Sequence, residues 1–170
     1  MSSDQQFDKL VLEGWQSGRC PMVDGIVFAD GRIVLLQMTS DYIPNSKYPE
    51  RQYAFHLKKV RTLAVQDLER DGKLHWSHIY RQFESVDETR NLRAWCGETS
   101  WGSEGFVALV RADSNLPIWI AIFEESNPFK AVTLTETLVE AVSTYENVWR
   151  FPIDSPEDAT VDSAPLISQS

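Results

Sequence analysis

The chain has 170 residues and a mass of 19.4 kDa, 42% hydrophobic and 24% charged, which points to one globular domain with a sizeable core and argues against disorder of the whole chain. No apolar run approaches the roughly 18 residues that a membrane helix needs, and the polar, acidic start from Met1 to Gln6 has neither the basic nor the apolar part of a secretory signal. The net charge of −9 is unevenly placed: residues 1–110 hold 15 acids and 13 Lys or Arg, whereas residues 111–170 hold 10 acids and 3. Such a field repels nucleic acid and anionic membranes and attracts basic partners, although a net acidic surface also serves solubility alone.

Residues 1–6 are expected to fray. Phe7, Leu10, Val11 and Gly14 have helical spacing, while Leu10 to Leu12 would equally begin a strand. Gly18 and Pro21 mark a turn. Ile26-Val27-Phe28 and Ile33-Val34-Leu35-Leu36 flank Ala29-Asp30-Gly31-Arg32, and Asp-Gly between apolar β-branched runs predicts a hairpin. The near-continuity of those runs suggests cover on both faces. Residues 39–50, with Pro44, Asn45, Ser46 and Pro49, read as a loop. Over residues 52–59, Tyr53, Phe55 and Leu57 alternate with Gln52, His56 and Lys58 as in a half-buried strand. A second Asp-Gly pair, Asp71-Gly72, would join Leu63–Leu68 to Leu74–Phe83 as a hairpin; a helix over Lys73–Phe83 competes, because Ile79 and Phe83 lie four apart.

Residues 84–91 read as a polar connection, Leu92–Gly97 as a short apolar stretch, and residues 98–105 as a flexible loop carrying Trp101. Two strands follow, Phe106–Val110 and Ile118–Phe123. Val132 and Leu134 alternate with Thr133 and Thr135 as in an edge strand, and Glu136–Val142 would form either more strand or a helix. The expected fold class is α+β but β-rich: an antiparallel twisted sheet or small sandwich with one or two helices. The globular domain is expected over residues 1–153. Residues 154–170, with four acids and no Lys or Arg, read as an acidic disordered tail.

No motif implies a metal or cofactor. His75 and His78 would share a face only on a helix, and the third histidine, His56, is far away in sequence. Cys96, in Trp95-Cys96-Gly97-Glu98, would need a histidine as base to act as a nucleophile; the plainer expectation for Cys96 and Cys20 is two buried thiols, in keeping with a reducing, cytoplasmic setting. Ser100 and Ser103 lie outside any G-x-S-x-G elbow, and neither a phosphate loop nor a dinucleotide fingerprint occurs. Lys58, Lys59 and Arg61 with Tyr53 and Phe55 nearby would suggest a nucleic-acid strand, which the overall acidity opposes, and a solvated strand end is the plainer expectation.

Glu124 and Glu125 follow the most apolar strand and precede the Asn127-Pro128 turn, so they are expected to emerge at a sheet end. Being adjacent, they would face opposite ways and are not by themselves the carboxylate pair of a glycosidase. With Glu136, Glu140 and Glu146 they would form an acidic surface. Trp119 and Trp149 stand in apolar contexts and read as core. Trp101 and Trp15 stand in polar, glycine-bearing contexts, where an unburied aromatic would anchor an interface.

The apolar, Trp-bearing segment from Ile118 to Val132, with Glu-Glu-Ser-Asn-Pro-Phe inside it, and the closing Trp149-Arg150-Phe151-Pro152-Ile153 give the chain a texture that resembles the immunity proteins of bacterial toxin systems. The resemblance implies a non-catalytic cytoplasmic protein that binds and blocks one cognate toxin, often a nuclease or another enzyme with a basic active-site region. It carries over no site residues. From charge and exposure, the expected partner-binding residues are Glu124, Glu125, Trp101, Glu136 and Glu140, and the expected partner is a basic protein. The competing expectations are an enzyme or small-ligand binder without a short motif, and an oligomeric adaptor subunit.

Overall fold

The computed structural model describes residues 6–42 and 53–162. In chain order the elements are α1 (Lys9–Gln16), β1 (Arg19–Pro21), β2 (Gly25–Phe28), β3 (Arg32–Tyr42), β4 (Tyr53–Ala64), α2 (Val65–Arg70), β5 (Trp76–Asp87), β6 (Leu92–Thr99), β7 (Gly105–Arg111), β8 (Pro117–Phe123), β9 (Phe129–Leu134), β10 (Leu138–Ser143), β11 (Val148–Pro152), a 3-10 turn (Pro156–Asp158) and β12 (Thr160–Asp162). Among the described residues the strands form two antiparallel sheets. The larger, ordered β1-β5-β6-β7-β8-β2-β3-β4, curls into a half-barrel, and the smaller is β12-β11-β10-β9. The expected β-rich antiparallel class with two short helices is what the chain adopts.

Side chains of a strand alternate between its two faces, and the large sheet uses both. On the face toward the small sheet, Trp119, Ala121 and Phe123 of β8 and Val107 and Leu109 of β7 pack with Phe129, Trp149 and Phe151. On the opposite face, Ile120 and Ile122 of β8 and Phe106, Ala108 and Val110 of β7 pack under Val11 and Trp15 of α1, Val65 of α2 and Cys20 of β1. The unbroken apolar runs thus belong to strands with a core on either side. The first core is largely aromatic: Phe123 lies 4.7 Å from Trp149 between ring centres, and Phe129 meets the Trp149 ring edge-on at 5.6 Å.

The Asp30-Gly31 pair turns β2 into β3 as expected. Gly31 takes a φ of 92°, and the Asp30 carboxylate accepts the Arg32 N–H at 3.0 Å. Segment 7–15 resolves as helix, because Asp8 caps it by accepting the Leu10 and Val11 N–H groups.

Several expectations are corrected. Asp71-Gly72 makes no hairpin: Gly72, at a φ of 68°, ends α2 with the Lys73 N–H bonded to the Leu68 carbonyl and the Gly72 N–H to that of Glu69. The competing helix over Lys73–Phe83 is strand instead. A spacing of four puts two residues on one face of a strand as well as of a helix, and here a bulge at Gln82 parts them, Ile79 buried and Phe83 exposed. Trp15 is core, 3% exposed, stacked on Trp95 and donating its indole N–H to the Asn115 carbonyl. The acidic segment from residue 154 is built into the fold as far as Asp162. Pro156 and Ala159 are buried, β12 pairs with β11, and Asp158 and Asp162 meet Lys59 and Arg150. Of the loop expected over 39–50, residues 39–42 continue β3; the rest of that loop and residues 163–170 lie outside the described residues. Residues 84–87, expected in a polar connection, complete β5; Glu136–Val142 is turn and strand rather than helix.

Candidate functional site

Antiparallel pairing brings the ends of β6, β8 and β10 and the starts of β7, β9 and β11 to one end of the sandwich. Glu98 opposes Gly105, Gly105 opposes Phe123, and Phe129 opposes Ser143. The expected flexible loop after β6 is a tight turn. Thr99 Oγ1 accepts the Trp101 N–H at 3.1 Å, and the Trp101 carbonyl accepts the Glu104 N–H at 3.0 Å. The β8–β9 connection is tied to it, the Asn127 N–H donating to the Ser103 carbonyl at 2.8 Å. Only glycine fits at the start of β7, since a Cβ on Gly105 would lie 2.3 Å from the Asn127 carbonyl oxygen. The β10–β11 turn joins through the Thr144 N–H and the Pro128 carbonyl at 2.9 Å.

Glu124 and Glu125 emerge here, exposed, immediately past β8. As expected for neighbours, they serve different surroundings. Glu124 lines a cavity of about 260 Å³ with Met22, Trp101, Ser103 and Glu104. Glu125 lines a second of about 360 Å³ with Ser40, Phe55, Ser103, Asn127 and Tyr145. Ser103 forms the shared wall. No lysine, arginine or histidine is among the described residues lining either cavity. Trp101 is 58% exposed, an indole that the fold leaves in solvent beside these carboxylates.

Two acids that sequence reasoning missed complete the end. Asp24 accepts the Glu124 N–H at 2.7 Å. Burial, and then the nearby charges of Glu124 and Glu125, hold its carboxyl above the usual range, against the lowering effect of that bond. Glu104 is 1% exposed, and one of its oxygens accepts the Ser77 hydroxyl at 2.7 Å. It forms no ion pair among the described residues. The signal that flags Glu124 also flags Glu104: each is an acid directly beside a strongly apolar strand run. Asp24, directly before the apolar β2, carries the same mark and Met22 does not; both reach the site because β2 is inserted next to β8.

The other two expected residues stand elsewhere. Glu136 is in the β9–β10 turn at the opposite end, where Arg90 donates to the Glu136 and Thr135 carbonyls. Glu140 is on the outer face of the small sheet, 3.6 Å from Arg150, which also contacts Asp162 at 3.4 Å. Glu146 returns to the first end but is paired with Lys130. The acidic rim expected over Glu124–Glu146 is therefore divided, with Trp101, Glu124 and Glu125 together and Glu136 and Glu140 apart.

Cys96 is buried, its Sγ 3.7 Å from the Phe129 carbonyl, and burial pushes its thiol up to about 12. Burial, with the Glu104 charge adding to it, raises the Cys20 thiol as well, and both cysteines are free. His75 and His78 lie before and within β5, not on a helix, and among the described residues no three His, Cys, Asp or Glu are grouped to hold a metal. His56, on β4, is 3.3 Å from Asp41. Lys58, Lys59 and Arg61 are exposed on the same strand, Lys59 paired with Asp158. No helix among the described residues is long and apolar enough to cross a membrane.

Exposed carboxylates flanking a solvent-facing indole suit a cationic surface, which they attract by charge and hold by contact with the ring face. The chain matches no model of a known protein family, and no curated protein matches it in sequence.

Proposed function

We propose that this chain is a non-catalytic binding protein that neutralises a basic cognate protein partner, in the manner of a toxin-blocking immunity protein. The observation that carries the reading is the meeting of Trp101, Glu124 and Glu125 at one end of the sandwich, around two cavities with no basic residue among the described residues that line them. Like-signed charge at a sheet end steers an oppositely charged protein and speeds encounter, and one exposed tryptophan supplies the contact that slows release. Two free, buried cysteines suit a cytoplasmic setting.

The test uses the whole chain as bait against a lysate of its source, with charge reversal at Glu124 and Glu125 and, as control, at Glu136. The expected result is a basic protein retained by the native chain and the Glu136→Lys variant, lost with Glu124→Lys/Glu125→Lys, and inactivated when mixed with the native chain. A chain that retains no macromolecule, but whose Tm a metabolite raises, favours the second reading. That reading is a small-ligand binder using the 360 Å³ cavity, where Ser40, Asn127, Glu125 and Tyr145 converge on Phe55.

A further inference from the structure

The smaller of the two cavities has a floor that its rim does not explain. A carboxylate taken out of water is costly unless it is paired. Glu104 is 1% exposed and has one hydrogen bond, from Ser77, to one of its two oxygens. Its second oxygen has no hydrogen-bond partner among the described residues and is not sealed in the core but open to the cavity that Glu104 lines. Above it stand the exposed Trp101 indole, the thioether of Met22 and the carboxylate of Glu124. The arrangement is a buried anion at the bottom, apolar and aromatic walls, and a second anion at the mouth.

From this we infer that the cavity receives one cationic side chain of the partner, an ammonium or guanidinium on an alkyl stem, with Glu104 as its counter-ion. The stem packs on Met22 and Trp101, the ring face of Trp101 adds attraction for the cation, and Glu124 guides it in. The inference rests on the binding function above, and it makes Glu104, invisible at the outer surface, the residue that selects a basic side chain over a neutral one of the same length.

The experiment titrates the intact chain with N-acetyl-lysine-N′-methylamide, the arginine analogue and the neutral norleucine analogue. It follows the Trp101 indole N–H resonance, assigned with Trp101→Phe. The expected result is a saturable shift with the lysine or arginine probe and none with norleucine; which of the two binds tighter distinguishes ammonium from guanidinium. Glu104→Gln should weaken binding about tenfold, the loss of a charge-assisted bond. Trp101→Ala, at an exposed position that folding does not need, should weaken it about threefold. An equal response to norleucine, or affinities unchanged in both variants, overturns the cavity assignment. If that happens while Glu124→Lys/Glu125→Lys still abolishes partner capture, the binding function stands and the cavity falls. If the cationic probes bind as expected but the chain captures no macromolecule, the cavity stands and the function falls.

Discussion

The guanidinium of Arg81 lies 4.2 Å above the Trp95 ring, and 5.0 Å from that of Trp15, which stacks on Trp95. It forms no ion pair among the described residues, and burial lowers its affinity for the proton. Two indole faces thus take the place of a carboxylate. Because Arg81 keeps its outer side in solvent, Arg81→Ala should destabilise the fold by about 0.5–1 kcal/mol, and Arg81→Lys should recover only part of it, because an ammonium cannot lie flat on the rings. Urea unfolding of the two variants, read by tryptophan fluorescence, checks the order.

Charge reversal at Glu124 and Glu125 should slow association with the basic partner and flatten its dependence on salt, leaving dissociation less affected. The same reversal at Glu136, at the far end of the sandwich, should leave the association rate within about twofold of native. Stopped-flow mixing at two ionic strengths separates these outcomes.

Phe123 and Ile122 are neighbours in β8 that face different cores. Phe123→Ala opens a hole against Trp149 and Phe151 and should cost about 3–5 kcal/mol, whereas Ile122→Val, one methylene smaller, should cost about 1 kcal/mol. Thermal and denaturant unfolding of the pair would show it. Equal losses would mean that the packing against the small sheet contributes less than its burial implies.

Asp87 and Asp24 should answer acid in opposite senses. The Thr89 hydroxyl, then Arg90, hold the Asp87 carboxyl down at about 2. Its stabilising contribution is present above the unfolded carboxylate value near ~4 and fades as the pH falls toward about 2. Asp87→Asn should flatten the stability profile in that window. Asp24 is shifted upward by burial, so the folded state binds its proton more tightly than the unfolded chain, and acidification through that range stabilises. Asp24→Asn keeps an oxygen for the Glu124 N–H, removes the buried charge, and should make the fold more stable at neutral pH. Denaturant midpoints from pH 7 down to pH 2 test both signs.

The sandwich was legible where local chemistry and final structure agree. Asp30-Gly31 between apolar runs turned as predicted, and Phe106–Val110 and Ile118–Phe123 became the doubly covered centre. What misled was a signal with two uses. Asp-Gly supplies a positive φ equally to a hairpin and to a helix end, and α2, with only Val65 and Leu68 as clear apolar residues, is too short to announce itself. The acids near the end of the chain looked like a solvated tail because their partners, Lys59 and Arg150, are remote in sequence. At the candidate site, Trp101, Glu124 and Glu125 could be singled out from their neighbours. Their meeting with Met22, Asp24 and Glu104 depends on strand order, which local pattern does not encode.

The placement of β7 and β8 between two cores has a consequence for how the molecule opens. Lifting the small sheet strips Trp119, Phe123, Val107 and Leu109, and lifting the helices strips Phe106, Ile120 and Ile122. Either step leaves half of the central pair in water, so neither layer is a cheap way to begin unfolding. The amides of these two strands should be the last to exchange their hydrogens with solvent, at the free energy of losing the whole fold, while the turns around Trp101 and Glu124 exchange early and independently.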